Sequence, residues 1–362
     1  MLLKIIQLLG FGIGGALLAL VCNVLLLRFS RSLGIRNKND VVVRWSNESK
    51  PSLGGVSFFV IFVFSAIAYS IVFSEAPNIF QNKQYVGLFV AGSLAFLMGL
   101  ADDAYNTKPL IKLLVQILCG VVLVLTNTSI DFFHSFYLDA GLTVFWVILI
   151  MNSLNMLDNM DGITGTTVFF ILLTCLIASW IIFPFHINVW SLVLISVLGA
   201  VVGFLTMNIH PSKLFMGDAG SQFIGLFVAF YGIKFLWNIG TADPGNIHPS
   251  WLGMCITLIA FTPTAADTLT VVINRLKKGQ SPMVGGKDHT THHLVYAGLS
   301  DRSVWYVFVG IGFMASLISI ILVHFVSMNT YLPVAFFVFY FIFVFALLYR
   351  NTIKYPAPVK KK

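Results

Sequence analysis

GLTVFWVILIMNSLNMLDNMDG, residues 141–162, decides the fold of this chain. Its first part is apolar enough to belong to a membrane span, which needs roughly 20 apolar residues. Its last part sets three asparagines, Asn152, Asn155 and Asn159, and two aspartates, Asp158 and Asp161, within ten residues. Carboxylates that close to hydrocarbon are costly, so a run of them at a span end reads as a functional site. The pattern recurs twice. Asp102 and Asp103 close an apolar run in Gly99-Leu100-Ala101-Asp102-Asp103, and Asp218 follows another in Met216-Gly217-Asp218-Ala219-Gly220-Ser221. Five carboxylates with interleaved asparagines and few fixed cations suit a hard cation that handles phosphates.

The composition agrees. The chain has 362 residues, of which 58% are hydrophobic and only 10% charged, against about 25% charged in soluble domains. The expected fold is an all-α polytopic membrane protein. It would be one membrane-embedded domain, 1–350, with a basic tail, 351–362. Eleven apolar stretches are candidate spans: 5–27, 55–74, 86–101, 110–127, 140–157, 166–185, 188–208, 221–240, 251–273, 304–327 and 331–349. The third is short, as if the helix stopped at its carboxylates. The first is too long for a signal peptide and lacks a small-residue cleavage site, so it is expected to be retained. Cys22, Cys119, Cys175 and Cys255 lie far apart inside apolar runs and read as small core residues rather than a disulfide or zinc framework.

The net charge of +8 is a matter of topology, and no nucleic-acid partner is expected. With the N-terminus outside and alternating spans, 19 of the 22 lysines and arginines fall on inner segments, as the positive-inside rule requires. The same alternation brings Asp102, Asp103, Asp158, Asp161, Asp218 and the His-rich stretch 288–293 to the inner face, although these residues did not enter the choice of orientation.

Each motif has its own chemistry. Adjacent Asp102 and Asp103 repel, and the C-terminal end of a helix dipole worsens the conflict. A divalent metal relieves it, as does Lys112, expected to reach back across the turn. Asn152, Asn155 and Asn159 share a helical face by their i, i+3, i+7 spacing, with Asp158 and Asp161 directed into the following loop. Small residues around Asp218, at the end of Asn208-Ile209-His210-Pro211-Ser212-Lys213-Leu214-Phe215-Met216-Gly217-Asp218, offer backbone N–H groups to a phosphate. In Gly285-Gly286-Lys287-Asp288-His289-Thr290-Thr291-His292-His293, the spacing matches no common structural zinc site. Imidazoles that bind a pyrophosphate, or order the loop over it, fit better. Asp267, inside an apolar run, is expected to pair toward the inner end of its span, where Arg275 follows.

In this order, PSLGG (51–55), GLADD with Lys112 downstream, NSLNMLDNMDG, NIHPSKLFMGDAGS and the acid–histidine loop resemble the polyprenyl-phosphate N-acetylhexosamine-1-phosphate transferase family, from Pro51 to about Leu294. The resemblance implies transfer of a HexNAc-1-phosphate, GlcNAc-1-phosphate first, from a UDP-HexNAc to a membrane polyprenyl phosphate (undecaprenyl phosphate), with release of UMP. It implies a multi-pass protein of the bacterial inner membrane with its site facing the cytoplasm. Membrane lipid is a further partner, and a homodimer stays open. By the same resemblance Asp102 is the candidate base for the lipid phosphate, Asp103 its partner near metal or substrate, and Lys112 a holder of phosphate charge. Asn155 and Asp218 match ligands of Mg²⁺, with Mn²⁺ as a substitute. Asn152, Asp158 and Asp161 match the polar rim for nucleotide or sugar, Asn208 and Phe215 the uridine contacts, and Asp288, His289, His292 and His293 the acid–histidine loop. The muropeptide branch carries three consecutive histidines. The spacer of two between His289 and His292 argues against that branch and favours enzymes that begin surface-polysaccharide or teichoic-acid-type assembly. A secondary transporter is the rival from another class. Its relay acids would sit at mid-span, whereas these lie at one face.

Overall fold

A computed structural model describes residues 2–30, 50–73, 77–183, 187–240, 249–282 and 285–358. Arg31, Arg36, Lys38 and Arg44 of the first basic loop, and Lys360, Lys361 and Lys362 of the tail, lie outside them. The described chain is thirteen α-helices: α1 (Leu2–Ser30), α2 (Val56–Val72), α3 (Lys83–Tyr105), α4 (Pro109–Leu125), α5 (Phe136–Leu157), α6 (Ile163–Ile182), α7 (Val189–Asn208), α8 (Gly217–Phe235), α9 (Ser250–Ala260), α10 (Thr262–Lys277), α11 (Thr290–Tyr296), α12 (Asp301–Ser327) and α13 (Leu332–Lys354). Among the described residues eight helices are long and apolar enough to cross a membrane, and α2 and α4 are shorter apolar helices. The protein is an all-α polytopic membrane protein, and each of the eleven expected stretches coincides with helix.

Two expectations about helix ends are corrected. α3 does not stop at its carboxylates. It runs on to Tyr105, because Asn106 takes a left-handed conformation (φ 51°) and its N–H closes on the Asp102 carbonyl. Asp102 and Asp103 therefore sit within the last turn, with side-chain directions set by the helix. The ninth stretch, expected as one span, is broken between α9 and α10 by an 80° bend. Pro263 at the start of α10 has no N–H to continue the ladder from α9.

α8 is the axis of the bundle. Its membrane-length window is 94% buried, against 17% for α1 at the periphery. α2, α3, α5 and α6 surround it. Lipid supplies no hydrophobic drive between helices, so close approach at small residues has to hold them. α1 meets α7 where Gly12 and Gly15 face Gly199 and Ser196, and α3 crosses α8 where Gly99 lies against the Asp218 carbonyl. The start of α2 docks on α8 through Gly55 and Gly220, while the Gly54 and Gly55 N–H groups donate to the Phe215 and Met216 carbonyls, both at 2.9 Å. This backbone pairing gives the PSLGG segment its structural role.

A methyl group at Gly55 would collide with the Gly220 backbone, whereas Gly141 in α5 has nothing within 4 Å of its missing Cβ. Gly55→Ala is expected to cost about 2 kcal/mol, as overpacked contacts do, and to lower the thermal midpoint of the purified protein. Gly141→Ala should leave that midpoint unchanged or slightly raised.

Candidate active site

Four helix ends meet at one end of the bundle: the C-termini of α3 and α5 and the N-termini of α4 and α8. They gather Asp102, Asp103, Lys112, Asn155 and Asp218. Asp102 is buried. Its Oδ1 accepts from the Thr107 N–H (2.8 Å) and hydroxyl (2.7 Å), and its Oδ2 forms an ion pair with Lys112. The Lys112 ammonium reaches back across the α3–α4 turn, as expected, and also lies 3.8 Å from Asp218 Oδ2. Asn155 Nδ2 donates to Asp218 Oδ1 at 2.5 Å and to Ser221 Oγ at 2.9 Å. Lys112 and Asp218 are half-buried and open to a ligand.

Asp103 has a task that the sequence did not disclose. Its Oδ1 accepts from the Asp218 N–H (3.0 Å) and its Oδ2 from the Ala219 N–H (2.9 Å). The N–H groups expected to cradle a phosphate at the start of α8 are thus taken by a carboxylate, which suits the positive end of that helix dipole. Gly217, at φ +78°, makes the turn that aims these groups at Asp103, and a side chain there would meet both Ser52 and Asp103.

The 208–216 loop is tied down by two predicted substrate contacts. The buried Asn208 accepts from the Gly162 N–H (3.0 Å) and donates to the Leu214 carbonyl (2.9 Å). Asp161 accepts from the Ser212 N–H (3.0 Å) and hydroxyl (2.8 Å) and contacts His210 Nδ1 at 3.2 Å. Phe215 is only partly buried, and the Lys50 ammonium lies 5.6 Å from its ring centre. Asp158 caps the C-terminus of α5, and Asn159 lies beyond that helix rather than on the face of Asn152 and Asn155.

Asn152 is one turn deeper than Asn155 and points at other amides. It donates to Gln116 Oε1 (2.7 Å), and Gln116 donates to Gln222 Oε1 (3.0 Å). Gln116 and Gln222 are both 1% exposed. They follow Lys112 and Asp218 by four residues, a helical repeat legible in the sequence but passed over there because glutamine carries no charge.

The acid–histidine loop is built into the protein. Asp267 pairs with His289 Nδ1 (2.9 Å) and accepts from the Thr290 N–H and hydroxyl (2.8 and 2.6 Å). Arg275 instead holds Asp288 through two bonds of 2.8 and 2.7 Å. The expected Asp267–Arg275 pairing is therefore replaced, because the loop leading into α11 brings a closer partner to each. Burial alone would raise the Asp288 carboxyl, but the Arg275 guanidinium bonded to it holds it below the ordinary carboxylate value. Burial pushes the His292 imidazole down to about 3 and lowers that of His293, whose Nδ1 meets the Tyr355 carbonyl at 2.6 Å. Thr291 Oγ1 donates to Asn159 Oδ1 at 2.6 Å, which joins this loop to the end of α5. Among the described residues no three His, Cys, Asp or Glu side chains form a ready-made metal cluster.

The stretch from Tyr85 to Leu236, which includes α4 to α8 and nearly all of α3, matches the sequence model of glycosyl transferase family 4. Over this stretch the chain is similar to that family. It is 29% identical over 281 residues to a probable undecaprenyl-phosphate N-acetylglucosaminyl 1-phosphate transferase of Bacillus subtilis strain 168, an alignment covering 75% of this chain and 73% of that one. It is 27% identical to a decaprenyl-phosphate N-acetylglucosaminephosphotransferase of Mycolicibacterium smegmatis, covering 81% and 75%. It is 25% identical to a phospho-N-acetylmuramoyl-pentapeptide-transferase of Streptococcus pneumoniae strain D39, covering 86% and 97%. All five residues of the central cluster lie within the part matched to glycosyl transferase family 4, and the acid–histidine loop lies after it.

Asn208→Ala would leave the Gly162 N–H and the Leu214 carbonyl buried without their partner. It is expected to cost about 2–4 kcal/mol, from two lost bonds whose buried partners stay unpaired. The thermal midpoint in detergent reads this directly. An unchanged midpoint with only the nucleotide KM raised would instead make Asn208 a substrate contact.

Proposed function

We propose that this chain is a family 4 transferase that moves a HexNAc-1-phosphate, GlcNAc-1-phosphate first, from a UDP-HexNAc to undecaprenyl phosphate and releases UMP, at the cytoplasmic face of a bacterial cell membrane. One observation carries the reading: Asp102, Lys112, Asn155 and Asp218 converge from four helices at a single end of a membrane bundle. The names of the relatives support the substrates, and the basic residues gathered at the inner segments support the orientation.

The donor set fits a hard divalent cation. Asp218, Asn155 and Ser221 bring carboxylate, carboxamide and hydroxyl groups together, and oxygen ligands of this kind suit magnesium. Asp218 and Asn155 would hold Mg²⁺, or Mn²⁺ in its place. The bound ion supplies charge neutralisation at a diphosphate, which phosphoryl transfer needs more than covalent chemistry. Lys112, between Asp102 and Asp218, is set to receive phosphate oxygens. Asp102, fixed by Thr107 and Lys112, orients the lipid phosphate or takes its remaining proton, and little base strength is required because a phosphate monoester loses its second proton near pH 6. In the transfer an oxygen of the lipid phosphate bonds to the phosphorus that carries the sugar, and the bridging oxygen leaves with UMP. Direct attack suits this site: both Asp102 oxygens are already engaged, and an acceptor anchored in the membrane is already held in place.

Phospho-MurNAc-pentapeptide transfer is the second reading. The alignment over 97% of the pneumococcal relative favours it, while the interrupted histidines, His289 and His292–His293, oppose it. Purified protein with undecaprenyl phosphate is expected to release UMP from UDP-GlcNAc or UDP-GalNAc and not from the UDP-muropeptide. Asp218→Asn should reduce that release by at least about 100-fold, the scale of losing a metal's charge stabilisation. Wild-type activity of Asp218→Asn at low magnesium would remove the metal assignment. Labelled sugar phosphate trapped on the protein without lipid would refute direct attack.

A further inference from the structure

α8 ends, at Lys234 and Phe235, beside a cavity of about 230 Å³ at the far side of the bundle from the carboxylates. Lys234 follows Asp218 by sixteen residues on the same helix, about 24 Å at 1.5 Å per residue. With Lys4 and Lys83 it is one of only three cations that the orientation above leaves away from the basic face. The cavity is lined by the amides and hydroxyls of Gln84, Asn127, Thr128, Ser129 and Asn238, by this lysine and by the apolar Phe183, Ile233 and Phe235, and among the described residues no acidic one is part of the lining.

The partners of Lys234 are neutral. Its ammonium donates to Gln84 Oε1 at 2.7 Å and lies 4.2 Å from the centre of the Trp190 ring. Gln84 cannot exchange its ends, because its Nε2 donates to the Asn127 carbonyl at 2.7 Å. An ammonium has three donors, and among the described residues no carboxylate pairs with this one. The C-terminal dipole of α8 offsets part of the charge. Dipole and amide together account for a lysine extended toward the membrane surface, but not for Thr128. That residue is 3% exposed, lines the cavity, and its hydroxyl has no partner among the described residues. Of the seven buried threonine hydroxyls without a partner among the described residues, this one lines the cavity, where a bound group could satisfy it.

A second cavity of about 540 Å³ adjoins it through Ser129 and Asn238. Its acids already have partners. Asp139 accepts from the Phe132, Phe133 and Ser135 N–H groups, and Asp131 pairs with His134 at 2.9 Å. Among the described residues of this region, the charge left without an opposite partner is that of Lys234.

We propose that the cavity at Lys234 binds a phosphate group of the charge and size of a phospholipid phosphodiester, with Lys234 as counter-ion and the Thr128 hydroxyl as a donor. One ammonium matches one phosphodiester charge. The volume is below the roughly 300–1,000 Å³ of pockets for drug-sized ligands and suits a head group alone. The span ends lie at the depth where head groups sit, and the exposed Phe183 ring beside the cavity offers an acyl chain an apolar flank. Occupancy would clamp the N-terminus of α3, through Gln84, to the C-terminus of α8. The opposite ends of the same two helices are joined by Asp103.

The test uses the full chain, purified in a neutral detergent and titrated in separate arms with phosphatidylglycerol and with inorganic phosphate, with binding read by native mass spectrometry and by the thermal midpoint. Wild type is expected to bind one phosphatidylglycerol about tenfold more tightly than Lys234→Gln, the scale of one charge-assisted hydrogen bond, with transferase activity of the variant unchanged. Thr128→Val, which keeps the shape of the side chain, should weaken binding by a smaller factor and serves if Lys234→Gln does not fold. Lys234-dependent binding of inorganic phosphate alone would support the site and assign it to a free anion. Equal binding of either probe to wild type and Lys234→Gln, or to neither protein, overturns the proposal.

Discussion

The two hydrogen bonds from the start of α8 to Asp103 set the position of everything else in the site. α8 is the most buried helix, so its N-terminal N–H groups have little access to water, and an unsatisfied buried donor costs about 1–3 kcal/mol. A carboxylate from α3 satisfies two of them at once. That reach is possible because α3 and α8 touch at Gly99, one helical turn before Asp103, where any side chain would hold the helices apart. With the α3–α8 crossing fixed, Asp102 points to the other side of the last turn of α3, toward Lys112, and Asp218 comes into the same space from α8. A residue that reads as catalytic in the sequence is therefore the one that locates the others.

A second layer fixes the remaining helices. Lys112, Asn155 and Asp218 form an outer tier, and Gln116, Asn152 and Gln222 repeat it one turn deeper on α4, α5 and α8. The chemistry changes with depth. Charges occupy the tier that a ligand can reach, and neutral amides occupy the buried tier, where an ion would carry a desolvation cost of several kcal/mol. Amides still give direction, since each bond fixes which way a side chain faces. Three helices joined in this way cannot rotate independently, so the outer tier keeps its register.

Much of this was legible beforehand, for identifiable reasons. Spans follow from local apolar content, and the basic bias follows from topology, so both can be read without tertiary knowledge. Lys112 was found because a turn connects it to Asp102. What the sequence could not reveal depended on partners distant along the chain. The two backbone donors of Asp103 come from over a hundred residues away, and Gly162 and Leu214 meet the Asn208 amide only in the folded chain. Asp267 and Arg275 share a span and invite pairing, but the loop leading into α11 separates them by offering His289 to one and Asp288 to the other. The break between α9 and α10 was signalled by Pro263 and was overlooked within an otherwise continuous apolar run.

The charge balance of the site has a consequence for how the proposed reaction would be ordered. Asp102, Asp103 and Asp218 bring three carboxylates to one ammonium, Lys112. The α8 dipole and two N–H bonds answer Asp103, and the ion pair answers Asp102. Asp218 is left with a carboxamide at 2.5 Å and an ammonium at 3.8 Å, so negative charge is least compensated at this partly exposed carboxylate. A diphosphate entering such a site would be repelled unless a cation came first or came with it. Under the proposed reading the ion is then a condition for nucleotide binding and not only for the chemical step, because the fold spends its single lysine on holding Asp102 in place.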